Sequence, residues 1–264
     1  MPQLLGILNL SADSFSDGGL YSDADAAVAH ARRLVQGGAA VIDIGAVSSN
    51  PDGIGLDSRV EIERLRPVVE ALREAEIPVS IDSFAPETQI WAAGQAVAML
   101  NDIRGFPDPR VWPALADCSA QLVVMHSLQQ GRADRRPGDG GAVLDAVLRF
   151  FEARLEQLVG AGIDEDRLII DPGMGFFLGS EPRPSVEILR GIDTLRARTG
   201  RPVLISVSRK SFLGSLLGGR APRDRHDATV AAELFAVDQG AEWIRTHDPR
   251  ALSDALCIRS TLRG

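Results

Sequence analysis

The 264-residue chain predicts an α/β fold, a single-domain (β/α)8 TIM barrel spanning residues 1–264, and three observations carry that prediction. Eight short, almost continuously apolar runs recur from end to end, as parallel strands buried on both faces do. Longer segments with apolar residues at helical spacing separate them, and no shift in composition marks a second domain. The length is close to the roughly 250 residues of such a barrel. A doubly wound open sheet is the competing arrangement, and periodicity alone leaves it open.

The first strand is LLGILNL (4–10), followed by the polar loop SADSFSDGGLYSD (11–23) and a helix over 24–37. AAVIDIG (39–45) is the second strand; the loop AVSSNPDGIGLDS (46–58) leads into a helix over 58–75. PVSIDS (78–83) follows, then a helix over 86–94, then the strands AVAMLND (96–102) and QLVVMHS (121–127). The Gly-rich, charged stretch SLQQGRADRRPGDGG (127–141) reads as a long exposed loop. Val143, Val147, Phe150, Phe151, Leu155 and Leu158 then share one helix face, and Gly160 and Gly162 stand where that helix stops. RLIIDPG (167–173), a helix over 185–198, PVLISVS (202–208), a helix over 226–239 and AEWIRTH (241–247) complete the eight units. The loops after strands one and two have the length and flexible composition of segments that close over a site.

Composition narrows the function classes. With 28 basic against 36 acidic residues the net charge is -8, which argues against a general nucleic-acid surface. No apolar run approaches the roughly 18 residues of a membrane span, and Met1-Pro2-Gln3 lacks a signal peptide's basic start, so the cytoplasm is the expected location. Cys118 and Cys257 show no metal-type spacing and are expected to be reduced and structural.

In a barrel, chemistry sits at the C-terminal ends of the strands. Here those ends carry Asn9, Asp43, Asp82, Asn101 with Asp102, His126, Asp171, Ser208-Arg209-Lys210, and Arg245 with His247. Taken singly, an Asp or Asn after a strand often caps the next helix. Eight polar ends together point to a site, with Asp43 in a supporting role. Arg209, Lys210, Arg245 and His247 follow strands seven and eight, the region where barrels commonly hold phosphate. Asn9 offers one amide oxygen to Mg2+, which takes its other oxygens from water and substrate phosphates. Asp82, Asn101 and Asp171 suit a flat ring that presents several N–H donors, since buried carboxylates must be hydrogen-bonded.

The pieces GILNLSADSFSDGG, VIDIG, SIDSF, LNDI, VMH, IIDPGMGF, SVSRKSFLG and IRTHD, in this order, resemble dihydropteroate synthase along nearly the whole chain. That resemblance implies a usually dimeric barrel that joins p-aminobenzoate to 6-hydroxymethyl-7,8-dihydropterin diphosphate and releases diphosphate with Mg2+. It also implies pterin binding by Asp82, Asn101, Asp171 and Lys210. Asn9 corresponds to the metal ligand, while Arg245 and His247 form with it the diphosphate clamp. Phe15 and Asp17 are the residues that fold over the reacting centre, so that Phe15, Asp17, Lys210, Arg245 and His247 carry the catalysis. Ser208, with Phe15, Phe176 and Phe177, belongs to the p-aminobenzoate pocket.

The chain departs from the family pattern at VSSNPDG, where Asn50 replaces the usual Arg, at MHSLQQGRAD, and at the additional Phe of DPGMGFFLG. Together with GFPDP, these departures resemble the sulfonamide-insensitive, Sul-type branch. One of Phe176 and Phe177 then narrows the p-aminobenzoate pocket where a sulfonamide's bulk must project, while at least one packs in the core. Two other readings stay open: a pterin-dependent methyltransferase-like barrel, which has no need of a diphosphate clamp, and a non-catalytic pterin-binding protein.

Overall fold

The computed structural model describes residues 1–10, 20–46, 56–128 and 143–263. Eight parallel strands form one sheet: β1 (Gln3–Asn9), β2 (Val41–Gly45), β3 (Val79–Asp82), β4 (Met99–Asp102), β5 (Gln121–Met125), β6 (Leu168–Asp171), β7 (Leu204–Ile205) and β8 (Trp243–Thr246). Their order is β6-β5-β4-β3-β2-β1-β8-β7, and a single parallel bridge from Ile170 to Val203 joins the two ends into a ring. The barrel is confirmed and the open sheet set aside.

The two-residue period of a strand sorts every side chain to the inside or the outside of that ring. The pairings Leu5 with Val41, Ile7 with Asp43, and Asn9 with Gly45 put these residues on the inner face. Leu5, Val41, Met99, Val123, Ile169 and Leu204 fill the bottom of the barrel as one apolar layer. The alternate residues, among them Leu8, Ile44, Leu100 and Ile170, face out and pack under the helices. This double burial is why the strands read as continuous apolar runs.

The helices are α1 (Leu20–Gln36), α2 (Ser58–Glu74), α3 (Pro86–Ala93), α4 (Trp112–Asp117), α5 (Val143–Gly160), α6 (Pro182–Arg190), α7 (Ile192–Thr199), α8 (Ser211–Leu216), α9 (His226–Asp238) and α10 (Pro249–Arg263). In α2 the buried positions Leu65, Val68, Val69 and Leu72 follow the i, i+3, i+4, i+7 stripe. Three expectations are corrected. Residues 20–23, read as loop, begin α1. The single helix expected over 185–198 is two, broken at Gly191, where a Cβ would stand 2.8 Å from the Leu144 side chain. Strand seven shrinks from seven residues to Leu204–Ile205. The rest of the expected loops 11–19, 47–55 and 129–141 lies outside the described residues.

Candidate active site

Strand parity gathers the inward side chains of the upper barrel into one place. Asp82 and Asn101 are direct neighbours across β3 and β4, and Met125 and Asp171 across β5 and β6. Ser206 stands two residues above the inward Leu204, and Arg245 pairs in register with the inward Leu5. These residues line a cavity with about 310 Å³ of empty space, together with Ile103, Gly173, Met174, Phe177 and Lys210.

The polar groups of the cavity are partly satisfied and partly waiting. Asp171 accepts from the Gly173 N–H at 2.8 Å. Asn101 donates from Nδ2 to Asp43 at 3.5 Å, while its buried Oδ1 has no partner among the described residues. Arg245 donates from Nε to Asp43 at 2.6 Å and from Nη2 to Asp82 at 2.8 Å. The Lys210 ammonium lies 4.8 Å from the centre of the Phe177 ring, a cation–π contact. Burial pushes Asp82 up to about 7 against the pull of Arg245, and Asp171 up to about 6. Burial likewise brings Lys210 down to about 8, with Arg245 adding to the effect.

Two expected roles of the strand ends resolve differently. Asp82 caps no helix, since α3 is entered through Ala85 without a side-chain cap. Asp102 faces away from the cavity and holds a turn, accepting from the N–H groups of Arg104 at 2.8 Å and Phe106 at 2.7 Å. That turn needs the help: Gly105 and Phe106 both have positive φ, 65° and 56°. His126 is likewise fixed, with Nδ1 3.2 Å from the Pro172 carbonyl and its ring edge-on to Phe150.

The residues expected to form the clamp fall in two places. Arg245, expected with His247 in the diphosphate clamp, points into the barrel from the β8 position beside Leu5 and forms ion pairs with Asp43 and Asp82 in the cavity. His247 and Ser208 line an adjoining cavity of about 230 Å³ with Arg209, Thr229 and Glu233. Ser208 Oγ lies 2.9 Å from His247 Nδ1 and accepts from its backbone N–H at 3.2 Å. Burial, then the nearby Arg209, Arg245 and Lys210, lowers His247 to about 3, so that it is neutral at pH 7. Asn9 is exposed at the end of β1.

Phe177 is buried against Ile103 and Met125, whereas Phe176 is half-buried. The turn that carries both is anchored by Gly175 N–H donating to Ser185 Oγ at 2.9 Å and Leu128 N–H donating to the Phe177 carbonyl at 3.1 Å. Phe15, Asp17 and Asn50 lie outside the described residues. Sequence reasoning missed Ile103, Met125 and Ser206 as cavity walls; the parity of their strands was the available signal for the last two. Of the cysteines, Cys118 packs within reach of Arg167, but Cys257 is exposed on α10, which corrects its expected structural role.

Fold and site together define a parallel barrel whose upper end holds a cavity of buried acceptors beside a cationic rim. The family profile described as "Pterin binding enzyme" matches residues 5–247. The chain is 54% identical over 98% of its length to the dihydropteroate synthase type-2 of Escherichia coli, covering 96% of that protein. Among solved structures it superimposes on the Xanthomonas albilineans dihydropteroate synthase with 4-aminobenzoic acid at a TM-score of 0.89 and 36% identity, covering all of this chain and 93% of that one. The Burkholderia cenocepacia dihydropteroate synthase complexed with 7,8-dihydropteroate is similar, with a TM-score of 0.86 and 33% identity over 100% and 92% of the two chains. The chain thus belongs to the pterin-binding enzymes and, within them, to the dihydropteroate synthases.

Proposed function

We propose that this chain joins p-aminobenzoate to 6-hydroxymethyl-7,8-dihydropterin diphosphate and releases diphosphate. The observation that carries this reading is the unpartnered, buried Oδ1 of Asn101, set between two carboxylates in a cavity walled by Phe177, Met125 and Ile103. Acceptors held this way require a ligand with several N–H groups in one plane, as the amino-pyrimidinone edge of a pterin has. Lys210, next to Asp171, adds a donor to the same edge.

The chemistry needs a good electrophile more than a base, because a neutral aniline nitrogen is already nucleophilic. The bond from the pterin methylene carbon to the diphosphate oxygen breaks first and leaves a pterin-stabilised cation. The aniline nitrogen then bonds to that carbon and loses its proton to solvent. His247 and the exposed Arg209 meet the departing charge, Arg209 as a cation and His247 as a neutral hydrogen-bond donor.

Among the described residues no three His, Cys, Asp or Glu side chains come together as a metal cage. This suits Mg2+, which keeps several waters and substrate oxygens. Asn9, exposed at the mouth, would contribute the single protein oxygen. The ion would supply charge neutralisation to the leaving diphosphate.

Sulfonamide insensitivity is part of the proposal, supported by the second Phe on a turn anchored at both ends. A rigid ring rejects an oversized inhibitor better than a mobile one. The homodimer implied by the resemblance is tested by sedimentation of the purified protein. Diphosphate release is measured with pterin diphosphate, p-aminobenzoate and Mg2+, with and without excess sulfamethoxazole. Turnover that persists with the drug, and becomes sensitive on deletion of Phe177, is expected. Absence of turnover in both tubes would remove the synthase reading, and drug-blocked turnover the insensitivity alone.

A further inference from the structure

Helix α3 buries polar side chains beside apolar ones. Its buried positions include Thr88 and Gln89, whereas Ile90 is exposed. A helix covering a barrel normally turns its apolar face inward, and a buried amide costs free energy unless its bonds are made. The fold needs no Gln here, since an apolar side chain of the same length would cover the sheet as well.

The inward neighbours Asp82 and Asn101 are each followed by an outward residue, Ser83 and Asp102, beneath α3. Gln89 Nε2 donates to the Ser83 carbonyl at 2.9 Å. The same side-chain amide lies near the Asp102 carboxyl and favours its charged form. Asp102 in turn holds the N–H groups of Arg104 and Phe106 in the turn that follows Ile103, a residue of the cavity wall. On the other flank, Glu61 of α2 accepts from Ser83 Oγ at 3.0 Å and Thr88 Oγ1 at 2.7 Å. A continuous polar layer thus lies directly behind the wall that carries two of the ring-binding groups.

We propose that Gln89 is a positioning residue, whose amide ties the turn after β3 to the turn after β4 and so sets the spacing between Asp82 and Asn101 that grips the pterin ring. This rests on the proposed pterin site. Gln89 touches no substrate; it acts through Ser83 and Asp102.

The test uses the full-length chain carrying Gln89→Met, which keeps the volume and loses the bond to the Ser83 carbonyl and the amide beside Asp102, and Gln89→Asn, which is one methylene too short to reach both. Arg167→Met serves as the stability control. It removes the contacts of Arg167 to the Ala120 carbonyl at 2.9 Å and the Leu115 carbonyl at 2.8 Å, at the opposite end of the barrel. Binding of 6-hydroxymethyl-7,8-dihydropterin diphosphate is titrated by calorimetry, alongside the KM for p-aminobenzoate and the melting temperature. Whichever Gln89 variant folds is expected to bind the pterin about ten-fold more weakly, the effect of one well-formed hydrogen bond. Its KM for p-aminobenzoate should stay within about two-fold, and Arg167→Met, matched for lost stability, should bind pterin normally. Unchanged pterin affinity in the Gln89 variants, or an equal loss in Arg167→Met, would overturn the positioning role alone. Failure of the unmodified chain to bind the pterin would overturn this inference together with the function it rests on.

Discussion

Replacing Glu233 with Gln is expected to stabilise the protein at pH 8 by about 3 kcal/mol more than at pH 5. Glu233 lies on the inner face of α9 with no exposed surface, and neither carboxyl oxygen has a well-formed partner among the described residues. The Thr246 hydroxyl is the group that favours its charged form, Asp248 opposes it, and His226 helps weakly. Burial outweighs all of these and pushes the carboxyl from 4.5 up to about 8. Below 4.5 the folded and unfolded forms both hold the proton, so no penalty exists. As the pH rises, the unfolded chain ionises while the folded one keeps its proton. Stability then falls by about 1.4 kcal/mol per pH unit until the folded carboxyl titrates. Gln is uncharged and nearly isosteric, so it removes this slope. Other buried groups that titrate, such as Asp82, Asp171 and His247, are common to both proteins and cancel in the difference. Urea unfolding of both proteins at pH 5, 6, 7 and 8 measures it. Parallel stability curves across that range would show that Glu233 is ionised, or solvated, in the folded state, and the burial argument would fail.

Arg245→Met leaves Asp43 and Asp82 facing each other without their shared cation, and is expected to cost about 3–5 kcal/mol by urea unfolding as well as pterin binding. Unchanged stability would mean that water already screens the pair. Asp17→Asn is expected to lower kcat more than it weakens binding of the pterin diphosphate, measured by steady-state kinetics beside calorimetry. An unchanged kcat would take Asp17 out of the chemistry. Asn101→Leu replaces the orphaned acceptor with an apolar side chain of similar size, and should weaken the pterin by about ten-fold or more without unfolding the barrel.

How far the sequence carried these conclusions depended on distance along the chain. Asp82, Asn101 and Asp171 were legible because each ends an apolar run, and a barrel brings all strand ends to one rim. Met125 and Ser206 obey the same parity but look like ordinary strand residues, so they passed unnoticed. The partners of Arg245 were invisible: Asp43 lies 202 residues away, and only the register between β1, β2 and β8 brings them together. Glu233 was hidden differently. In VAAELFAV a lone acid reads as the solvated side of a helix, and nothing local says that α9 turns it inward. Helices α4 and α8, six residues each, are too short for a 3.6-residue period to accumulate.

The bridge from Ile170 to Val203 gives the barrel a seam. Its β1–β2 ladder runs through five residue pairs, whereas β7 offers two to β8 and the contact with β6 is one isolated pairing. Asp171 rises from one lip of this seam; Ser206 and Lys210 rise from the other. A ring held by both lips laces the weakest join of the cylinder, so substrate occupancy should slow amide hydrogen exchange along residues 168–171 and 202–206 more than anywhere else in the sheet. The same join is where the empty barrel would first breathe open, which makes the ligand part of what keeps it round.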